Sequence, residues 1–259
     1  MEHLINILKI ALIISFIFSN AKAKYIDFSI LELTSIAQKI YQNECAGKLK
    51  YLVHWNENET FASVGIGHFI WYPKGIEQKF EESFPKLLSF MAHKGLSIPK
   101  WLKENSHNPW ETKEQMLKDP RADELREFLQ QSISIQTLFL ANRINKALPK
   151  ILNATNPNRH DKITKMFDLV TNEKDGYYLL IDYVNFKGEG IKLSERYNNQ
   201  GWGLLQVLEC MSETTNPKKE FARCAKKTLQ QRVENSPKKN NEKRWLKGWF
   251  KRIDTYTNP

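Results

Sequence analysis

Two kinds of carboxylate stand close together in the stretch IYQNECAGKLKYLVHWNENETFASVGIGHFIWYP, residues 40–73. Glu44 follows Leu33, Ala37 and Ile40 at spacings of four, three and four, which puts it on the apolar stripe of a helix. Glu57 and Glu59 lie instead in a polar run. Apolar surroundings raise the pKa of a carboxylic acid, whereas a solvated loop leaves its partner ionised. A protonated acid facing an ionised carboxylate is the pair that cleaves a glycosidic bond. His68 follows two glycines, Gly65 and Gly67, and suits either a ligand or a structural hydrogen bond.

These residues need a helix, a small β-lobe and a body to hold them. Ser29 and Glu32 have the spacing of a capping box, and Gly47 is a stop just past Glu44. From residue 48 to 67 the pattern changes to β-favouring YLVHW and TFASVGI around a polar tip, residues 56–59, which predicts a hairpin. Ile76, Phe80, Phe84, Leu87, Leu88 and Met91 then return to helical spacing, as one stripe kinked at Pro85. Further helices are predicted near 123–131, 133–148, 159–171, 175–186, 201–211, 217–234 and 240–254. Residues 95–121, with Pro99, Pro109 and Pro120, read as an irregular connection carrying Trp101 and Trp110. In RWLKGWFKRIDTY, Trp245, Trp249 and Ile253 recur every four residues, the pattern of a helix closing the core. The expected fold is mainly α with a small antiparallel β-lobe at about 48–68 and a helical body from 76 to 259.

A helix-borne Glu followed by a short β-lobe and the string SVGIGH resembles the catalytic region of phage-type lysozymes, which cleave peptidoglycan. That resemblance implies a lysozyme-like α+β domain over residues 24–259. It also implies roles: Glu44 as general acid, Glu57 as the acidic residue of the β-lobe, and Ser63, where Thr is more usual, as the hydroxyl two residues before the first glycine. The interval between Glu and ribbon is a few residues longer than in the family, which leaves Glu59 open beside Glu57.

A second string, YVNFKGEG at 183–190 with RYNNQGWGLLQVLE at 196–209, is rich in glycines, amides and aromatics. Its GWGLLQV resembles the GLMQ element of lytic transglycosylases and goose-type lysozymes, in which the Gln faces the sugar cleft. Asn185, Tyr197, Asn199 and Gln206 can hydrogen-bond sugar hydroxyls and acetamido groups, and Trp202 can stack on a ring face. Glu189 is a further candidate for the ionised partner of Glu44. The bland alternative is a glycine-rich turn between helices.

Cys45, with His54 and His68 on the ribbon, raises thiol chemistry. A helix C-terminus is the wrong end for activating a thiolate, because the dipole there opposes negative charge. Cys45, Cys210 and Cys224 lack metal-ligand spacing and are too few for a disulfide framework; a Cys210–Cys224 bridge stays open. No metalloprotease, nucleotide or dinucleotide fingerprint occurs, so no metal or cofactor is expected.

The chain has 259 residues, 41% of them hydrophobic, and a formal charge of +10 at pH 7. That length and apolar content suit one sizeable domain. Lys9 precedes an uncharged apolar run, residues 10–18, and Ala21-Lys22-Ala23 offers small residues where a signal peptidase reads. Residues 1–23 are therefore expected to be a signal peptide, and the chain to be periplasmic or secreted. An exported basic protein meets acidic wall polymer and anionic membrane surface; its lysines are dispersed without a nucleic-acid-binding motif, so nucleic acid is not an expected partner. The expected reading is a monomeric, exported, peptidoglycan-cleaving glycosidase, either muramidase or lytic transglycosylase. The other reading is a wall-binding or host-directed protein that keeps such a cleft without turnover.

Overall fold

The structure is a computed structural model and describes residues 28–257 apart from Lys79 and Ser106. The expected signal peptide lies outside the described residues. No described helix is long and apolar enough to cross a membrane.

Helix α1, Ile30–Cys45, starts at the expected capping box: the Glu32 amide donates to the Ser29 hydroxyl, and the Ser29 amide to the Glu32 carboxylate. It ends where Ala46 and Gly47 both take positive φ. A 3₁₀ turn, Leu49–Leu52, leads into an antiparallel sheet of three short strands in sequence order, β1 (Val53–His54), β2 (Ala62–Val64) and β3 (Phe69–Trp71). The β-lobe is thus a three-stranded meander, one strand more than the expected hairpin. The β2–β3 turn needs its glycines: Gly65 has φ 73°, and a side chain there would run into Gln136. That glutamine accepts from the Ile66 amide at 2.8 Å and donates to the Leu129 carbonyl at 2.6 Å, fastening the lobe to the body.

The expected helix from residue 76 is not formed. Ile76 and Phe80 are 39% and 57% exposed, and helix α2 begins only at Phe84, with Pro85 in its first turn rather than at a kink. Proline is tolerated at a helix start, where its missing amide would have had no partner. The connection 95–121 contains two short helices, α3 (Lys100–Glu104) and α4 (Lys113–Lys118), and Trp101 and Trp110 pack around the buried Trp71. Helices α5 (Arg121–Gln131), α6 (Ile133–Asn153), α7 (His160–Thr171), α8 (Gly176–Lys187), α9 (Leu204–Cys210), α10 (Pro217–Asn235) and α11 (Lys243–Asp254) follow close to the sequence expectation. Helix α6 runs through Pro149, past the boundary expected at 148. A two-stranded ribbon, β4 (Arg196–Tyr197) and β5 (Gln200–Gly201), precedes α9.

The body is built around α6 and α8. Leu140, Ala141, Ile144, Ala147 and Ile151 bury one face of α6, against which α1, α2 and α8 pack. Helix α8 is buried almost all round, from Tyr178 to Val184, as expected of a helix enclosed by others. Any polar side chain it carries must therefore find a partner inside the protein. Helix α11 lies against α10, with Ile253 buried in the core and Leu246, Trp249 and Phe250 packed against it. Trp245, expected on that inner stripe, is 52% exposed. The fold is mainly helical with a small antiparallel sheet, as the sequence predicted.

Candidate functional site

Glu44 sits on the last turn of α1, where α8, α11 and the β2–β3 turn converge. Its side chain is 10% exposed. Arg252 of α11 donates through Nη2 to Glu44 Oε1 at 2.6 Å, and Asn185 of α8 donates through Nδ2 to the same oxygen at 3.0 Å. His68 Nδ1 lies 3.4 Å from Glu44 Oε2. Asn185 also donates to the Gly67 carbonyl at 3.2 Å, which ties the glycine turn to α8.

The setting is ionic rather than apolar, which corrects the sequence expectation. Burial alone would raise the Glu44 pKa, but the Arg252 charge foremost, then His68 and the hydrogen bonds from Arg252 and Asn185, hold the carboxyl below its usual value. Glu44 is thus ionised in this state. Arg252 is shared: Nε and Nη2 also donate to both oxygens of Asp182, at 2.9 and 2.8 Å, and its guanidinium lies 4.4 Å over the Phe186 ring. Asp182 is fully buried and accepts a further bond from the Tyr256 hydroxyl at 2.6 Å. The Glu44–Arg252–Asp182–Tyr256 network was not anticipated. The signal was in α8, where Asp182 stands inside the apolar run YYLLIDYV; a buried carboxylate requires a cation from elsewhere.

His68, at φ 46°, faces Glu44 on one side and Cys45 on the other, with Nε2 4.0 Å from Sγ. Burial first, then the Arg252 and His54 charges, lower its pKa, although Glu44 pulls the other way. The order Cys45–His68–Glu44 has the outline of a thiol triad. The chemistry does not follow, because Cys45 is fully buried and its thiol is pushed up to about 12, by burial first and then by Glu44.

Other candidates are not joined to Glu44 by any hydrogen bond or ion pair. Glu57 is 87% exposed at the tip of the β-lobe, 4.0 Å from Lys113 Nζ. Glu59 accepts from the Asn56 amide group at 2.8 Å, and its carbonyl from Trp55 Nε1 at 2.8 Å, which fixes the tip. Ser63 is buried in β2, paired with His54 and Ile70. Glu189 lies 3.5 Å from both Arg143 and Lys150; burial opposes its ionisation, but Arg143 first and Lys150 outweigh it.

Apart from Asn185, the second string packs backbones together around Gly190 and Gly203. Gln206 accepts from the Gly203 amide at 2.9 Å and donates to the Gly190 carbonyl at 3.1 Å, and a Cβ on Gly203 would overlap the backbone of Gly190. Trp202 is 8% exposed, with the Arg232 guanidinium 4.1 Å over its ring, so that face is already taken. Tyr197 donates to Glu242 at 2.9 Å, and Glu242 also accepts both bonds of Arg232. Asn198 and Asn199, at φ 48° and 60°, make the tight turn between β4 and β5.

Among the described residues no group of three or more His, Cys, Asp or Glu side chains gathers as a metal site. Cys210 and Cys224 are disulfide-bonded, which settles the bridge left open by the sequence. What the site offers is one sheltered carboxylate, a histidine, an amide and a guanidinium that has a second anchor. Comparisons with protein-family models, with curated proteins and with solved structures find no match for this chain.

Proposed function

We propose that this chain is an exported glycosidase of lysozyme type, a muramidase or lytic transglycosylase, that cuts the N-acetylated glycan of peptidoglycan with Glu44 as proton donor. The observation that carries the reading is the placement of Glu44: one carboxylate, 10% exposed, on the last turn of α1 and within reach of His68 at the end of the β-lobe. An ionised Glu44 has to gain a proton before it can act. A substrate that takes the Nη2 donation away from Glu44 allows this, with Arg252 still held to Asp182 through Nε. Burial, the strongest single influence on Glu44, then raises its pKa toward the range useful for acid catalysis. Asn185 is placed to hold the acid in orientation, and Glu57 or Glu59 on the β-lobe is the candidate for the second carboxylate, with Ser63 guiding water.

A specific observation favours a second reading. The same Arg252 bridge that ionises Glu44 is what a wall-binding or host-directed protein without turnover would keep, with Glu44 as a structural ion-pair partner. Purified peptidoglycan separates the two. The glycosidase reading expects new reducing ends from a muramidase or anhydro-muramyl ends from a transglycosylase, and a loss of about 10²–10⁴-fold in Glu44→Gln. Equal cleavage by wild type and Glu44→Gln rejects that role for Glu44. An uncut wall that still sediments the protein favours the binding reading.

A further inference from the structure

We propose that the outward face of α11 docks the protein onto an anionic phospholipid surface. Lys243, Lys247 and Lys251 stand at i, i+4 and i+8, one above another along the helix, with Arg244 beside them. Lys238 and Lys239 lie in the 3₁₀ turn just before the helix, Lys238–Asn240. All six are exposed, and none pairs with a described acidic residue. The acidic side chains of the same segment are committed elsewhere, Glu242 to Arg232 and Asp254 to Lys226. Like charges one turn apart on a helix repel each other. A negative surface outside the protein turns that repulsion into attraction.

Two further features fit a headgroup layer better than a soluble anion. Trp245 flanks the basic row at 52% exposure, with the Arg244 guanidinium 4.9 Å over its ring; an indole is the side chain that settles at the boundary between lipid headgroups and water. Gly248 is exposed in mid-helix, and a Cβ there would meet nothing within 4 Å, so packing does not call for a glycine. A bare position lets a flat surface approach the helix backbone. Arg252, one turn beyond Gly248, is held inward by Glu44 and Asp182, so the proposed surface rests on the exposed lysines and Arg244 and not on Arg252.

The test is co-sedimentation of the full protein with vesicles of equal parts phosphatidylglycerol and phosphatidylcholine, against vesicles of phosphatidylcholine alone. Binding is expected only with phosphatidylglycerol, and should fade at about 0.5 M salt, where charges are screened within a few ångströms. Lys243→Glu/Lys247→Glu/Lys251→Glu should weaken it at least about 100-fold, at roughly fivefold per lost lysine. A variant with the same net charge, Lys74→Glu/Lys103→Glu/Lys118→Glu, alters exposed lysines elsewhere and should bind like wild type. Circular dichroism of both variants checks folding. Equal binding to both vesicle types, full binding by the α11 variant, or equal losses in the two variants each overturn the proposal. So does wild-type protein that binds soluble polyphosphate and leaves the vesicles in suspension.

Discussion

Arg252→Met removes the guanidinium and leaves an aliphatic chain of similar length against Phe186. Two carboxylates then lose their cation together: Asp182, fully buried, keeps only the Tyr256 hydroxyl, and Glu44, 10% exposed, keeps Asn185 and His68. Breaking a buried pair by deleting one partner costs about 3–5 kcal/mol, because the remaining charge stays desolvated. For a domain of this size, with a urea m-value of about 3 kcal/mol/M, that moves the unfolding midpoint down by about 1–1.7 M at pH 7. The pH dependence carries a sign. In the wild type Glu44 lies below its ordinary value of 4.5, so the stability it contributes is present above that value and lost as pH falls through the folded pKa. In the variant burial prevails and the Glu44 pKa rises, so stability is lost as pH increases through it. The gap between the two proteins should therefore be widest near neutrality and narrow toward pH ~4. The assay is urea unfolding followed by circular dichroism at both pH values. A midpoint shift below about 0.3 M at pH 7, well under the stated range, or a gap that widens in acid, would refute the account of this network.

The thiol offers a simple check: Cys45 should resist a thiol reagent in the native protein at pH ~8, below its raised pKa, and react only on unfolding in urea. Stoichiometric labelling of the native state would contradict its burial and reopen the triad. In the glycine-rich string, Gln206→Ala should cost about 1–3 kcal/mol through the two hydrogen bonds it breaks. Trp202→Ala should cost about 3–5 kcal/mol as a buried aromatic. Both are read by thermal melting, and sedimentation of these variants with peptidoglycan should match wild type. Weakened binding at an unchanged melting temperature would restore Gln206 and Trp202 as sugar contacts.

The sequence by itself determined what depends on neighbours along the chain. The capping box at Ser29, the stop after Cys45 and the helical periods of α5 to α11 were legible because their causes lie within a few residues. The phase that puts Glu44 on the inward side of α1 was legible for the same reason. Local pattern failed where a competing local rule acted, as at Pro85, which starts α2 and leaves Ile76 and Phe80 outside it. It failed also at Trp245, whose period of four with Trp249 said nothing of which side α10 would cover. Only the tertiary structure decided the charge state of Glu44, because its partner Arg252 lies 208 residues away in sequence. Period and spacing cannot reveal a cation delivered by the last helix, nor that Asp182 shares it. In the second string local pattern could not separate two uses: glycines, amides and aromatics that could hold a sugar are the same residue types that let two backbones meet at Gly190 and Gly203, and contact across the fold put Gln206 between them while bringing Asn185 to Glu44.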